Sequence, residues 1–139
     1  MSQAKPYVIA VLNQKGGAGK TTLSTNLSHS FLLKGQKTLL IDADPQGSAR
    51  DWREVNPDCP LPVVGLDRET ISKDLEAIWS GYDLVVIDGA PQLEKMSIAI
   101  VKIADLILIP VQPSPYDIWA CADLIDIIKD RQEIGRAHV

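Results

Sequence analysis

The run Lys15-Gly16-Gly17-Ala18-Gly19-Lys20-Thr21-Thr22 constrains this chain more than any other feature. It stands directly after Tyr7-Val8-Ile9-Ala10-Val11-Leu12, a nearly all-apolar run of strand length, and directly before a segment with helical spacing. In that segment, from about Lys20 to Lys34, Leu23, Leu27 and Phe31 fall on one face, and Gly35 follows as a C-terminal stop. A glycine-rich turn from strand to helix lets the backbone wrap closely around an anion, with several N–H groups pointing inward. The helix adds its unpaired N-terminal N–H groups and its dipole. A strand this apolar is expected in a parallel sheet covered by helices on both faces.

The rest of the chain repeats the unit. Thr38-Leu39-Leu40-Ile41, Val63-Val64-Gly65-Leu66, Leu84-Val85-Val86-Ile87 and the run from Leu106 to Val111 read as strands. Helical patterns lie between them, marked by Ile71, Leu75 and Ile78, and by residues 93–104. Ser114-Pro115 opens a last helix, expected to reach about Asp130, with serine as N-cap and proline at its first position. Alternation of this kind gives an α/β fold of one domain, and 45% apolar residues among 139 suffice for its core. A net charge of −4 argues against a chain-wide basic surface for nucleic acid and leaves room for a local patch. Cys59 and Cys121 form no CxxC pattern, too little for a disulfide framework or a zinc site, as expected of a reduced, cytoplasmic protein. No apolar run approaches the ~20 residues of a membrane-spanning helix.

Three motifs carry chemistry. Lys20 offers a positive charge to the β- and γ-phosphates of a nucleotide, and the Thr21 hydroxyl is a ligand for Mg²⁺. The standard pattern GxxxxGK[ST] places glycine at position 14, which is Gln14 here; KGGxGK[ST], with the extra Lys15, is the deviant Walker A form. Asp42-Ala43-Asp44-Pro45-Gln46 ends the second strand, where open α/β sheets bind ligands. Asp44 is the candidate to orient an attacking water, whereas Asp42 is as readily a turn cap. Asp88 closes the run Leu84–Ile87 in the Walker B manner, and its carboxylate helps hold Mg²⁺, directly or through water.

KGGAGKTT, DADPQGSARDW, VVIDGAP and LILIPVQPSPYD, in this order and spacing, resemble the ParA/MinD group of deviant Walker A ATPases. Asp44-Pro45-Gln46-x-Ser48 with Trp52 downstream is most similar to ParA, particularly small plasmid-borne forms lacking an N-terminal DNA-binding domain. The resemblance implies a P-loop NTPase three-layer sandwich over residues 1–133, with a mostly parallel sheet covered by helices on both faces. It implies ATP and Mg²⁺ as cofactors, held by Gly16, Gly17, Ala18, Gly19, Lys20, Thr21 and Thr22, with Pro113 near the nucleotide and dimer interface. Lys15, Lys20 and Asp44 are the implied catalytic residues, Lys15 reaching the nucleotide of a partner copy; Thr21 and Asp88 are the metal residues. The implied partners are a second copy on ATP binding, a ParB-like centromere-binding protein that stimulates hydrolysis, and non-specific DNA, without a membrane. The implied task is plasmid or chromosome partition, in a cytoplasmic, nucleoid-associated protein.

ParA proteins continue with about two more βα units, at ~30 residues each. Ile134-Gly135-Arg136-Ala137-His138-Val139 is what ATC-GGA-AGA-GCA-CAC-GTC encodes, a common sequencing adapter, so residues 134–139 are expected to be foreign to the fold. A chain without those units is expected to turn ATP over weakly. Two other readings stay open: a nucleotide-dependent adaptor or remnant that does not hydrolyse ATP, and a MinD-like positioning ATPase. His29 is expected at the core edge, and Trp52, Trp79 and Trp119 are expected to pack rather than stack on bases. Asp126, Lys129, Asp130 and Arg131 look like a solvated helix face.

Overall fold

A computed structural model describes residues 5–12, 20–89, 94–110 and 122–132. Among the described residues there are five strands: β1 (Tyr7–Val11), β2 (Thr38–Asp42), β3 (Val63–Gly65), β4 (Leu84–Asp88) and β5 (Leu106–Leu108). All pair in parallel, in the order β3-β2-β4-β1-β5. The helices are α1 (Lys20–Leu33), α2 (Ser48–Glu54), α3 (Ile71–Glu76), α4 (Glu94–Ile103) and α5 (Ala122–Gln132).

The pleat sends alternate residues to opposite faces, and both faces are covered. Val8, Ala10, Leu39, Ile41, Val85 and Ile87 pack against Ile71 and Leu75 of α3, Ile100 of α4 and Ile128 of α5. Ile9, Val11, Leu40, Leu84 and Val86 face the other way, toward Leu23, Leu27 and Phe31 of α1 and Ala49 of α2. This is the three-layer α/β sandwich expected from the alternation of elements. Trp79 packs on the first cluster and Trp52 on the second, while His29 is half-buried. Asp126, Lys129 and Asp130 are exposed around the buried Ile128, as a solvated face requires.

Three features depart from the expected pattern. The first is α2, a helix of seven residues that no apolar periodicity announces. It begins after Gly47, whose φ of 72° is the left-handed conformation that glycine enters at no steric cost. Second, α3 ends at Glu76, so Ile78 falls outside the buried stripe and is 38% exposed. Third, the deepest residues of α1 are not its leucines but Lys20, Ser24, Thr25 and Ser28. Their hydroxyls are satisfied within the helix: Ser24 donates to the Lys20 carbonyl (2.9 Å), Thr25 to that of Thr21 (2.9 Å) and Ser28 to that of Ser24 (2.7 Å). Small self-satisfied side chains let this helix lie against the sheet without orphaned polar groups.

Beyond the strand ends the ladder continues for one more residue. Leu66 donates to the Asp42 carbonyl (2.9 Å), Ala43 to that of Asp88 (2.9 Å), Gly89 to that of Val11 (3.0 Å) and Leu12 to that of Leu108 (3.0 Å). That row forms a floor at the carboxyl edge of the sheet. Gly89 has no room for a side chain, since a Cβ there would lie 2.3 Å from Leu12 Cδ2 and 3.1 Å from the Val11 carbonyl oxygen. Gly89→Ala is therefore expected to destabilise the fold by about 1–3 kcal/mol, the usual range for overpacking, read as an earlier urea midpoint with unchanged slope.

Candidate functional site

β2 and β4 are neighbours in register, with Asp42 opposite Asp88, so the two strand-end carboxylates stand side by side at the carboxyl edge. Both are fully buried. Two acids so placed repel unless each has its own donors, and each has.

Asp88 is held by the first turn of α1. Lys20 Nζ lies 2.6 Å from Oδ1, the Ser24 hydroxyl, its one proton shared with the Lys20 carbonyl, lies 3.1 Å from the same oxygen, and the Thr21 hydroxyl donates to Oδ2 at 2.9 Å. The pair is dry, with the Lys20 side chain 6% exposed and that of Asp88 0%. A buried ion pair of this kind survives through geometry and added hydrogen bonds, since burial alone opposes it. Ser24 was not singled out by the sequence; its signal is that it lies one helical turn beyond Lys20, on the same face.

Asp42 is held by different partners. Its Oδ2 accepts the Arg50 backbone N–H (3.0 Å) and Nε–H (3.2 Å), and its Oδ1 accepts the Asp44 N–H at 3.1 Å. This is turn scaffolding, the bland alternative that the sequence left open for Asp42. Asp44, 7% exposed, follows directly on Ala43, whose N–H bonds to the Asp88 carbonyl. Its Oδ1 accepts the Gln46 N–H at 2.9 Å. The Arg50 guanidinium is the further group the sequence did not mark. Burial opposes its charge, but the hydrogen bond and proximity of Asp42, with Asp67, outweigh this and raise its pKa above the ordinary arginine value.

The structure thus brings Lys20, Thr21 and Asp88 together, with Asp44 beside them in the chain of backbone bonds. Thr22 is exposed in the first turn of α1. Lys15, Gly16, Gly17, Ala18, Gly19 and Pro113 lie outside the described residues, as do 134–139. An ammonium, a hydroxyl and a carboxylate converging where a glycine loop enters a helix are suited to a phosphate chain with a hard cation.

The model of the CobQ/CobB/MinD/ParA nucleotide-binding domain matches residues 9–136. The chain belongs to this family. Among curated relatives, it is 38% identical over 137 residues to maintenance of carboxysome distribution protein A of Halothiobacillus neapolitanus, covering 96% of this chain and 63% of that protein. It is 31% identical over 160 residues to the chromosome-partitioning ATPase Soj of Thermus thermophilus, covering 94% of this chain and 64% of that protein. The chain therefore spans a little under two thirds of the length of these relatives. Among solved structures, cobyrinic acid a,c-diamide synthase of Mycobacterium smegmatis with bound ATP analog and magnesium superposes with a TM-score of 0.79. That match is 22% identical and covers 95% of this chain and 71% of the other. The P-loop NTPase architecture and the ParA-type family expected from the motifs are both established. Among the described residues, no helix is long and apolar enough to cross a membrane.

Proposed function

We propose that this chain is the nucleotide-binding part of a ParA-type ATPase that uses Mg-ATP to position a cargo in the cell, in the first reading a plasmid or chromosome. The observation that carries this is the cluster of Lys20, Thr21 and Asp88, in which Lys20 closes the KGGAGK sequence and opens α1. Its donor set fits the cofactors. The Thr21 hydroxyl and the Asp88 carboxylate are hard oxygen donors 2.9 Å apart, the chemistry that Mg²⁺ takes directly or through water. When bound, magnesium neutralises charge on the transferring phosphoryl group.

The chain's own residues do the rest. Lys20 exchanges the Asp88 carboxylate for phosphate oxygens, Gly16, Gly17, Ala18 and Gly19 offer backbone N–H groups, and Thr22 and Pro113 border the nucleotide. Lys15 adds a second positive charge, reaching the nucleotide of a partner copy in an ATP-dependent dimer. Asp44, fixed through both its N–H and its carboxylate, orients the attacking water. A ParB-like partner stimulates turnover, and non-specific DNA is the track of the complete protein. The family resemblance and the name of the Thermus relative support this reading.

A second reading replaces the plasmid with a protein body as cargo. It is favoured by the 38% identity to a carboxysome-distribution protein across nearly the whole chain.

The test is binding of a fluorescent ATP analogue with Mg²⁺ and with EDTA, followed by ATP turnover with and without DNA and the partner. Mg²⁺-dependent binding and stimulated turnover are expected. Binding that persists without hydrolysis under every condition makes the protein a nucleotide-dependent adaptor instead. Imaging the tagged protein with a labelled plasmid and with labelled protein compartments in its native cell separates the two cargoes.

A further inference from the structure

We infer that Arg50 is a positioning residue, whose guanidinium clamps the turn carrying Asp44 between two strand ends and so sets where the Asp44 carboxylate stands. The functional half of this rests on the reading of Asp44 proposed above; the clamp itself does not.

One side chain reaches three segments. From α2, Arg50 donates Nε–H to Asp42 Oδ2 at the end of β2 (3.2 Å) and Nη2–H to the Asp44 carbonyl (2.9 Å). The same Nη2 lies 3.5 Å from Asp67 Oδ2 in the loop after β3. Both ends of the Asp44 residue are thereby governed. Its carbonyl is held by Arg50 directly, and its N–H is held by Asp42, whose other oxygen Arg50 occupies.

The seat is cut to the guanidinium. At Gly65 a Cβ would lie 2.6 Å from Arg50 Nη1 and 2.9 Å from Cδ, so any larger residue there drives the fork out. A planar fork can satisfy two acceptors at fixed angles, which an ammonium on a flexible stem cannot. The Arg50 side chain is 39% exposed, so its ion pairs are screened and add little to global stability. Its contribution lies in local order. A displacement of about 1 Å at a group that must meet a water in line can cost ~100-fold in rate.

Two substitutions attack the clamp from opposite sides. Arg50→Lys keeps the charge and loses the fork; Gly65→Ala keeps the fork and fills its seat. In both, hydrogen exchange across residues 44–47 is expected to rise about tenfold or more, with β4 unchanged. In both, kcat for ATP is expected to fall about tenfold or more with the Kd for Mg-ATP unchanged. Adding Gly65→Ala to Arg50→Ala is expected to change nothing further, because no fork remains to displace. Unaltered exchange at 44–47 overturns the clamp, and so does faster exchange spread equally over β4, which marks a merely structural ion pair. If the unmodified protein binds ATP without turnover, exchange still decides the role of Arg50, and the ATPase reading fails separately.

Discussion

Lys20→Ala is expected to remove nucleotide binding and about 3–5 kcal/mol of stability in one step. The first loss follows from Lys20 being the lysine of the KGGAGK sequence, since no other described side chain offers a buried cation. The second follows from what is left behind. Asp88 is fully buried, and Lys20 is its only cationic partner among the described residues, the Thr21 and Ser24 hydroxyls being neutral. Without the ammonium, the charge of Asp88 stays uncompensated in a dry site. Titration with a fluorescent ATP analogue and urea unfolding separate the two losses. A second variant checks the cause: Lys20→Ala with Asp88→Asn keeps acceptor and shape while removing the stranded charge. It is expected to recover most of the stability and none of the binding. Equal stability of Lys20→Ala and the unmodified chain would mean that the 2.6 Å pair contributes nothing.

Asp44→Asn is expected to lower ATP turnover by about 10²- to 10⁴-fold while Mg-ATP still binds. Asparagine is the informative replacement. Its side-chain oxygen can still accept the Gln46 N–H that Asp44 Oδ1 accepts at 2.9 Å, so the turn keeps its form. Alanine would delete that bond and mix a folding defect with a chemical one. Single-turnover hydrolysis beside equilibrium binding is the measurement. Turnover at the unmodified rate would assign the water to another group and leave Asp44 a turn residue like Asp42.

The parts of this fold that were legible in the sequence are those fixed by short-range pattern. The apolar runs of β1, β2 and β4 are buried on both faces, which is why they read as strands without alternation. Lys20, Thr21 and Asp88 were legible because loop, helix start and strand end each have a local signature. What was hidden is tertiary. Ser48–Glu54 reads SARDWRE, with Ala49 its one buried residue, so no periodic stripe could announce a helix. The polar inner face of α1 defeats the expectation that leucines lie deepest, because its hydroxyls find their acceptors one turn back. No pattern in the sequence marks Arg50: Asp42 and Asp44 meet it through the turn from β2 into α2, and Asp67 only once β2 and β3 are paired.

The hydroxyl-lined face of α1 also has a mechanical meaning. Among the described residues, its directional bonds to the sheet are confined to one end, where Lys20, Thr21 and Ser24 grip Asp88. Thr25 and Ser28 bond only to the helix's own carbonyls and carry those bonds with them wherever the helix goes. Contact farther along, through Leu23, Leu27 and Phe31, is non-directional. Fourteen residues make this helix roughly 20 Å long, gripped by polar bonds at its N-terminus. Just past its other end the chain is anchored again, Lys37 donating its N–H to Asp83 Oδ2 (2.9 Å) and accepting the Asp83 (2.8 Å) and Leu84 (3.1 Å) N–H groups at its carbonyl. The polar bonds that fasten this unit to the sheet thus stand at its two ends with apolar contact between them, so a change of partner at Asp88 falls first on the N-terminal turn.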